Sequence, residues 1–304
     1  HKRFIGVLQA LYKDNTVKVQ VNGHRTGSVP IERGVKQGCV LSPLLFILYI
    51  GEMAAMIEND KAGVAIHNVV ISGLFYCDDL ILIGRNAAEL ERLLCKTQEM
   101  LEGLEMRVNC GKSNMMYSAK ASVPEGCSES WTLKDSEDRE LGEMGVSEEY
   151  RYLGIRVQMG RGNGVFSAHK KQMVSRLKSM AGLSLNMAKN TAIRTSAGLA
   201  LWKGCTLPAV LYGAEVMALS KEEVLKLDAV QARFASHLMG VRLTAARVGV
   251  RQELGLPTVK YLVDRAKLRW WARVCHMPAE TWVKQALLDC LNAKGGEKCL
   301  VPWG

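Results

Sequence analysis

Tyr76-Cys77-Asp78-Asp79 sets two adjacent carboxylates between two apolar runs of strand-forming residues. Val69-Val70-Ile71 and Gly73-Leu74-Phe75 lead in, and Leu80-Ile81-Leu82-Ile83-Gly84 leads out, the β-branched and aromatic composition of buried strands. Side chains alternate faces along a strand, so a turn at the pair is what lets both acids serve one site. The segment therefore reads as strand, tight turn and second strand. Neighbouring acids among apolar residues are costly unless a cation neutralises them. Mg²⁺ suits the pair, because it takes oxygen ligands and is often held by one or two carboxylates plus substrate phosphates. The competing reading is an ordinary hairpin with both acids in water, since Asp is a favoured turn residue.

Upstream lies Arg33-Gly34-Val35-Lys36-Gln37-Gly38-Cys39-Val40-Leu41-Ser42-Pro43, a basic loop that runs into an apolar helical stretch, Leu44 to Ile50. Ser42 is suited to cap that helix, and Pro43 to its first position. Gly34 and Gly38 let the backbone approach a ligand closely, Arg33 and Lys36 bring positive charge, and Gln37 can donate and accept hydrogen bonds. Such a loop could hold a nucleotide or a template strand, although Gly-rich basic turns before helices are common.

These two segments, followed by Gly103-Leu104-Glu105-Met106-Arg107-Val108-Asn109-Cys110-Gly111-Lys112-Ser113 and by Tyr150-Arg151-Tyr152-Leu153-Gly154, resemble in order the palm motifs of the reverse transcriptases of non-LTR retrotransposons. Leu211-Tyr212-Gly213-Ala214-Glu215 and the stretch from Leu268 to Pro278 are similar to the thumb and post-thumb segments of that group. The resemblance implies an α+β fold: a palm-like antiparallel sheet backed by helices over 1–158, a basic helical thumb over 159–247 and a C-terminal helical extension over 248–304.

It also implies an RNA-directed DNA polymerase with a two-metal carboxylate site. Asp78 and Asp79 would hold two Mg²⁺ ions, with Mn²⁺ as the alternative, and Lys112 would face the pyrophosphate leaving group. Arg33, Gly34, Gln37, Gly38, Ser42 and Tyr76 would contact the template and incoming dNTP, and Tyr152, Leu153 and Gly154 would grip the primer. Arg161, Lys170, Lys171, Arg176 and Lys178 would follow the nucleic-acid backbone. The expected partners are an RNA template, a DNA primer and dNTPs. Cys77 departs from the Ala more usual before the acids, a change expected to leave the turn intact.

The family's palm needs a further carboxylate on a strand upstream of the glycine loop. Before Arg33 there are only Asp14, at a polar break after the apolar-periodic stretch Phe4 to Leu11, and Glu32 beside the loop. Neither has the aromatic strand context required. The chain opens on His1, so a fragment or truncated element lacking the first catalytic strand is expected, inactive on its own. The alternative is a catalytically silent RNA- or DNA-binding protein derived from a reverse transcriptase.

Composition agrees. With 304 residues, 48% hydrophobic and 23% charged, the chain is long enough for two folded domains and too apolar for disorder. No apolar run is long enough to span a bilayer. Nine scattered cysteines without a C-x-x-C pair favour reduced thiols in an intracellular setting over secretion, and the resemblance implies the nucleus if the source is eukaryotic. Between Arg151 and Ala214 there are ten Lys or Arg and no acid. Taking ten from the 40 bases leaves 30, equal to the 30 acids, so the net charge of +10 equals that of this one stretch. It reads either as a solvated helix face or as a phosphate-tracking surface.

Further elements follow from pattern. Thr16 to Val21 alternates, with Asn22-Gly23 as a hairpin turn. Ala87 to Leu104 has a helical apolar face, with Gly103 at its end. Strands are expected at Met106–Val108, Met115–Tyr117 and Tyr152–Val157, with one more near Trp131 inside a polar insertion from Ser118 to Glu149. Helices are expected over His169–Met187, Thr191–Leu207 and Lys221–Met239. Trp270-Trp271 reads as packing more readily than as a base-stacking pair, and Cys275-His276 has no second pair to make a metal site.

Overall fold

The structure, a computed structural model, describes residues 2–31, 33–66, 69–118, 130–134, 139–159, 164–189 and 194–292. The chain divides into two compact units, His1–Met56 with Phe75–Leu80, and Ile57–Leu74 with Ile81–Gly304.

The first unit opens with helix α1 (Lys2–Tyr12), which ends at Asp14, a non-glycine residue at φ 55°, so the expected helix-end turn is present. Strands β1 (Thr16–Val17) and β4 (Val29–Pro30) pair antiparallel, as do β2 (Gln20–Val21) and β3 (His24–Arg25). Asn22 and Gly23 both have positive φ, 49° and 83°, which matches the twist of a two-residue hairpin. Thr26 N–H donates to the Val19 carbonyl at 2.9 Å and Val19 N–H to Thr26 Oγ1 at 3.0 Å, joining the two ladders into one arm. Helices α2 (Ser42–Tyr49) and α3 (Gly51–Asn59) follow, and Ile50 and Met53 are the buried apolar side chains of this unit among the described residues.

In the second unit β5 (Val64–Ile66) pairs with β6 (Val69–Ile71). The hairpin of β7 (Gly73–Tyr76) and β8 (Asp79–Leu82) follows, and its tip, Phe75–Leu80, belongs to the first unit. Helix α4 (Ala87–Gly103) is capped by Asn86, whose side chain accepts from Glu89 N–H at 2.9 Å. It buries Leu93 and Leu94, as the periodicity predicts. Gly103 is its last helical residue, and the left-handed position after the helix falls to Glu105 (φ 56°). Met106–Val108 is not a strand: Val108 N–H donates to the Gln98 side chain at 3.3 Å, so a helix side chain takes the place of a ladder partner. Strand β9 (Asn114–Met115) is short and pairs in parallel with β11 (Glu140–Val146), which pairs antiparallel with β10 (Ser130–Lys134). Leu94, Met115, Trp131, Leu133 and Met144 form a core between this sheet and α4. Instead of one strand over Tyr152–Val157, β12 (Glu149–Tyr152) and β13 (Ile155–Gln158) form a hairpin, because Leu153 and Gly154 both adopt positive φ, 47° and 85°. The α+β class is borne out, and the described strands form short separate ladders rather than one continuous sheet.

The rest is helical: α5 (Ser167–Lys189), α6 (Arg194–Leu201), a single π turn (Trp202–Thr206), α7 (Leu207–Leu211), α8 (Lys221–Met239), α9 (Arg247–Glu253), α10 (Val259–Cys275) and α11 (Trp282–Asn292). Pro208 lies just past the π turn, and the chain stays helical through it. Ser220 and Glu223 form a reciprocal capping box that fixes the start of α8. The core here centres on Trp202 stacked on Phe234, ring centroids 3.9 Å apart. Trp202 Nε1–H donates to Gln231 Oε1 (3.2 Å) and Gln231 Nε2–H to the Pro257 carbonyl (2.7 Å), so the wholly buried amide is satisfied on both sides.

Candidate active site

The glycine loop of the first unit is anchored by hydrogen bonds. Tyr12 O–H donates to Ser42 Oγ (3.1 Å), whose own proton goes to the Lys36 carbonyl (2.6 Å). Lys36 Nζ donates to the Leu11 carbonyl at 2.9 Å and lies 5.6 Å from the Tyr12 ring centroid. Ser42 therefore does not cap α2. Residue 41 is already helical, and the Ser42 hydroxyl, buried at 5% exposure, is occupied in tying the loop. Gly34 (φ 87°) and Gly38 (φ 80°) hold left-handed conformations that side chains resist, and Arg33, Gly34, Gln37 and Gly38 are exposed. The N–H of Leu41, with smaller help from the Ser42 and Tyr12 hydroxyls, holds the Cys39 thiol below its usual pKa.

The β7–β8 hairpin presents Tyr76, Asp78 and Asp79 to solvent. Cys77 (φ 52°) makes the reversal, so Asp78 stands in the turn and Asp79 begins β8. Among the described residues neither carboxylate has an ion-pair or hydrogen-bond partner. Two adjacent oxygen donors without a cation fit a hard divalent ion in number and type. Among the described residues no cluster of three or more His, Cys, Asp or Glu is arranged to hold a metal. The hairpin base is fastened within the second unit, where Ser72 Oγ bonds the Asp60 and Ala62 carbonyls at 2.9 and 2.5 Å. Asp60 is itself clamped by Arg92 (2.5 and 2.8 Å), Lys96 (2.9 Å) and the Ala62 N–H (2.9 Å), which hold its carboxyl far below the usual range. Sequence reading had not singled out this clamp.

Lys112 closes a 3₁₀ turn (Cys110–Lys112) capped by Asn109, and it is exposed. Its carbonyl accepts from Tyr150 O–H at 2.8 Å, so the lysine turn and the Tyr152-Leu153-Gly154 hairpin are joined. The hairpin is held from behind by Tyr212 and Gly213. A Cβ at Gly154 would lie 3.6 Å from the Tyr212 ring, and one at Gly213 only 2.6 Å from Ile155 Cδ1. His169 of α5, 6% exposed, accepts from the Arg156 N–H through Nδ1 at 3.2 Å. Burial, then Arg176 and Arg156, push its pKa down, so it serves as a neutral tie.

The expected backbone-binding cations separate by environment. Lys171, Arg176 and Lys178 are exposed on α5. Lys170 reaches the Ala218 carbonyl (2.9 Å) and Glu223 (3.2 Å), so it braces α8 and is half-hidden. Arg161 lies outside the described residues. Trp270 and Trp271 are half-buried, in keeping with packing.

Residues 2–157 match the reverse transcriptase (RNA-dependent DNA polymerase) family, and the chain belongs to it. It is 22% identical over 263 residues to the RNA-directed DNA polymerase from mobile element jockey of Drosophila melanogaster, covering 83% of this chain and 26% of that protein. To the Pol polyprotein from the type-2 retrotransposable element R2DM of the same species it is 27% identical over 159 residues, 51% of this chain and 14% of the relative. To a 149 kDa protein of transposon TX1 from Xenopus laevis it is 28% identical over 125 residues, 40% and 9% respectively. The chain thus spans about a quarter or less of the length of these relatives. The resemblance to reverse transcriptases of non-LTR retrotransposons is borne out.

Proposed function

We propose that this chain forms part of an RNA-directed DNA polymerase of a mobile element, which extends a DNA primer on an RNA template with dNTPs. The observation that carries the reading is the pair of unneutralised carboxylates at the β7–β8 tip, which belongs to the same compact unit as the glycine loop, in a chain of this family. Asp78 and Asp79 would hold Mg²⁺, or Mn²⁺ in its place. Held there, the metal would supply charge stabilisation to the attacking and leaving oxygens of an in-line displacement.

The chain's own groups orient the reactants. Arg33, Gln37 and the bare backbone at Gly34 and Gly38 would receive the template and the incoming nucleotide, beside Tyr76. Ser42 acts through Lys36 by keeping the loop in place. Lys112 would offer its ammonium to the departing pyrophosphate as charge stabiliser or proton donor. The Tyr152–Gly154 turn would seat the primer end, and Lys171, Arg176 and Lys178 would follow the duplex as the outer face of a thumb, with the palm ending near residue 158. Copying would take place inside the cell, in the nucleus of a eukaryotic source.

The test is primer extension on an RNA template with Mg²⁺, using the full-length protein that carries this chain. Asp78→Ala should lower extension by about a thousandfold, as expected when metal stabilisation worth several kcal/mol is lost, while duplex binding is kept. Extension at the unaltered rate would remove the carboxylate pair from the chemistry.

A further inference from the structure

We propose that the cavity between α8 and the segment entering α9 binds a backbone phosphate of a nucleic-acid strand. The inference rests on the reading that this chain handles nucleic acid, and it adds a contact away from the exposed cations of α5. The zero net charge outside residues 151–214 conceals a second uneven stretch: between Asp228 and Glu253 there are four arginines and no acid. Two of them, Arg233 on α8 and Arg247 at the start of α9, line a cavity of about 130 Å³ together with Ala232, Ser236 and Leu243. That is roughly four times the ~30 Å³ a water occupies in the liquid, room for a tetrahedral oxyanion.

Two of the neighbouring cations are already engaged. Arg251 pairs with Asp228 at 3.7 Å, and Arg194 donates to the His237 carbonyl at 3.1 Å. Among the described residues the guanidinium of neither Arg233 nor Arg247 has an ion-pair or hydrogen-bond partner. Both side chains are exposed and free to turn toward a ligand, and planar guanidinium forks match phosphate oxygens. Ser236, 3% exposed, adds a hydroxyl, and Ala232, 6% exposed, an apolar floor. Two of the last carbonyls of α8 are occupied, His237 O by Gly240 N–H and Ser236 O by Val241 N–H.

The experiment follows binding of the full chain to a fluorescent RNA–DNA duplex by anisotropy over a KCl series, with melting curves to confirm folding. R233Q/R247Q should weaken binding about tenfold and lower the slope of log K against log[KCl] by about 1, equally for all duplex sequences. R233K/R247K should keep the slope and lose part of the affinity, since it keeps charge without the fork. Should the double glutamine variant not fold, the two single variants carry the same test. Unchanged affinity and slope in R233Q/R247Q, alongside a loss in K171Q/K178Q, would overturn the pocket and leave the polymerase reading standing. No duplex binding by the unaltered chain would overturn both. A melting temperature raised by inorganic phosphate only in the unaltered chain, with duplex binding equal in both, would make the pocket a free-oxyanion site and refute the nucleic-acid assignment.

Discussion

Replacing Gly213 by Ala should destabilise the helical region more than any other single-methyl insertion at a helix-linking turn, and the structure supplies the magnitude. Gly213 sits at φ 79°, where an L-residue costs about 1–2 kcal/mol. Its new Cβ would lie 2.6 Å from Ile155 Cδ1 and 3.2 Å from Met217 Cε, and Met217 is wholly buried, so overpacking adds about 1–3 kcal/mol. Restricting the unfolded chain returns about 0.4–1 kcal/mol. The net loss is about 1–4.6 kcal/mol, or a melting point lower by roughly 2–18 °C for a region of this size. Gly240→Ala is the control. Its φ of 70° is similar, but nothing lies within 4 Å of the added methyl, so only the backbone cost applies. Urea unfolding followed by tryptophan fluorescence reads both variants, since Trp202 is fully buried in the same core. If Gly213→Ala unfolds within about 0.5 kcal/mol of Gly240→Ala, a difference that surface changes routinely show, then Ile155 and Met217 give way freely and the close packing of this corner is refuted.

Asp60 predicts a pH dependence. Its folded pKa is depressed, chiefly by Arg92 and then by Lys96, so its contribution is complete above the unfolded value of about 3.9 and is lost as pH falls through the folded one. Asp60→Asn should cost about 1–3 kcal/mol at neutral pH and flatten the acid limb of the stability curve; parallel acid limbs in the two proteins would refute the clamp. Cys77→Gly should raise stability by about 1 kcal/mol, because a left-handed φ of 52° strains any residue with a Cβ, and a lower melting temperature would show that the thiol contributes more than the strain.

Local chemistry was legible in the sequence, and distant pairings were not. The α8 bounds, the Asn22-Gly23 reversal and the buried face of α4 all follow from signals within a few residues. The acids' hairpin was legible for the same reason, and Cys77 did leave its turn in place. Met106–Val108 misled because its apolar residues pack as irregular chain beside α4 while Gln98 supplies the hydrogen bond a strand would have made. The hairpin of β12 and β13 was read as one strand because Leu153 gives no hint that it will adopt a positive φ. Ser42 carries the side chain of a capping residue, but the hydroxyl of Tyr12, 30 positions away, recruits it elsewhere. Lys170 looked like its basic neighbours until Glu223, 53 positions on, claimed it. The Tyr150 hydroxyl on the Lys112 carbonyl has no sequence signature at all.

That last bond makes Lys112 and the Tyr152–Gly154 turn a single lever whose two arms are 38 positions apart. Because the join runs through the Lys112 carbonyl and not its side chain, the ammonium can be removed without untying the turn.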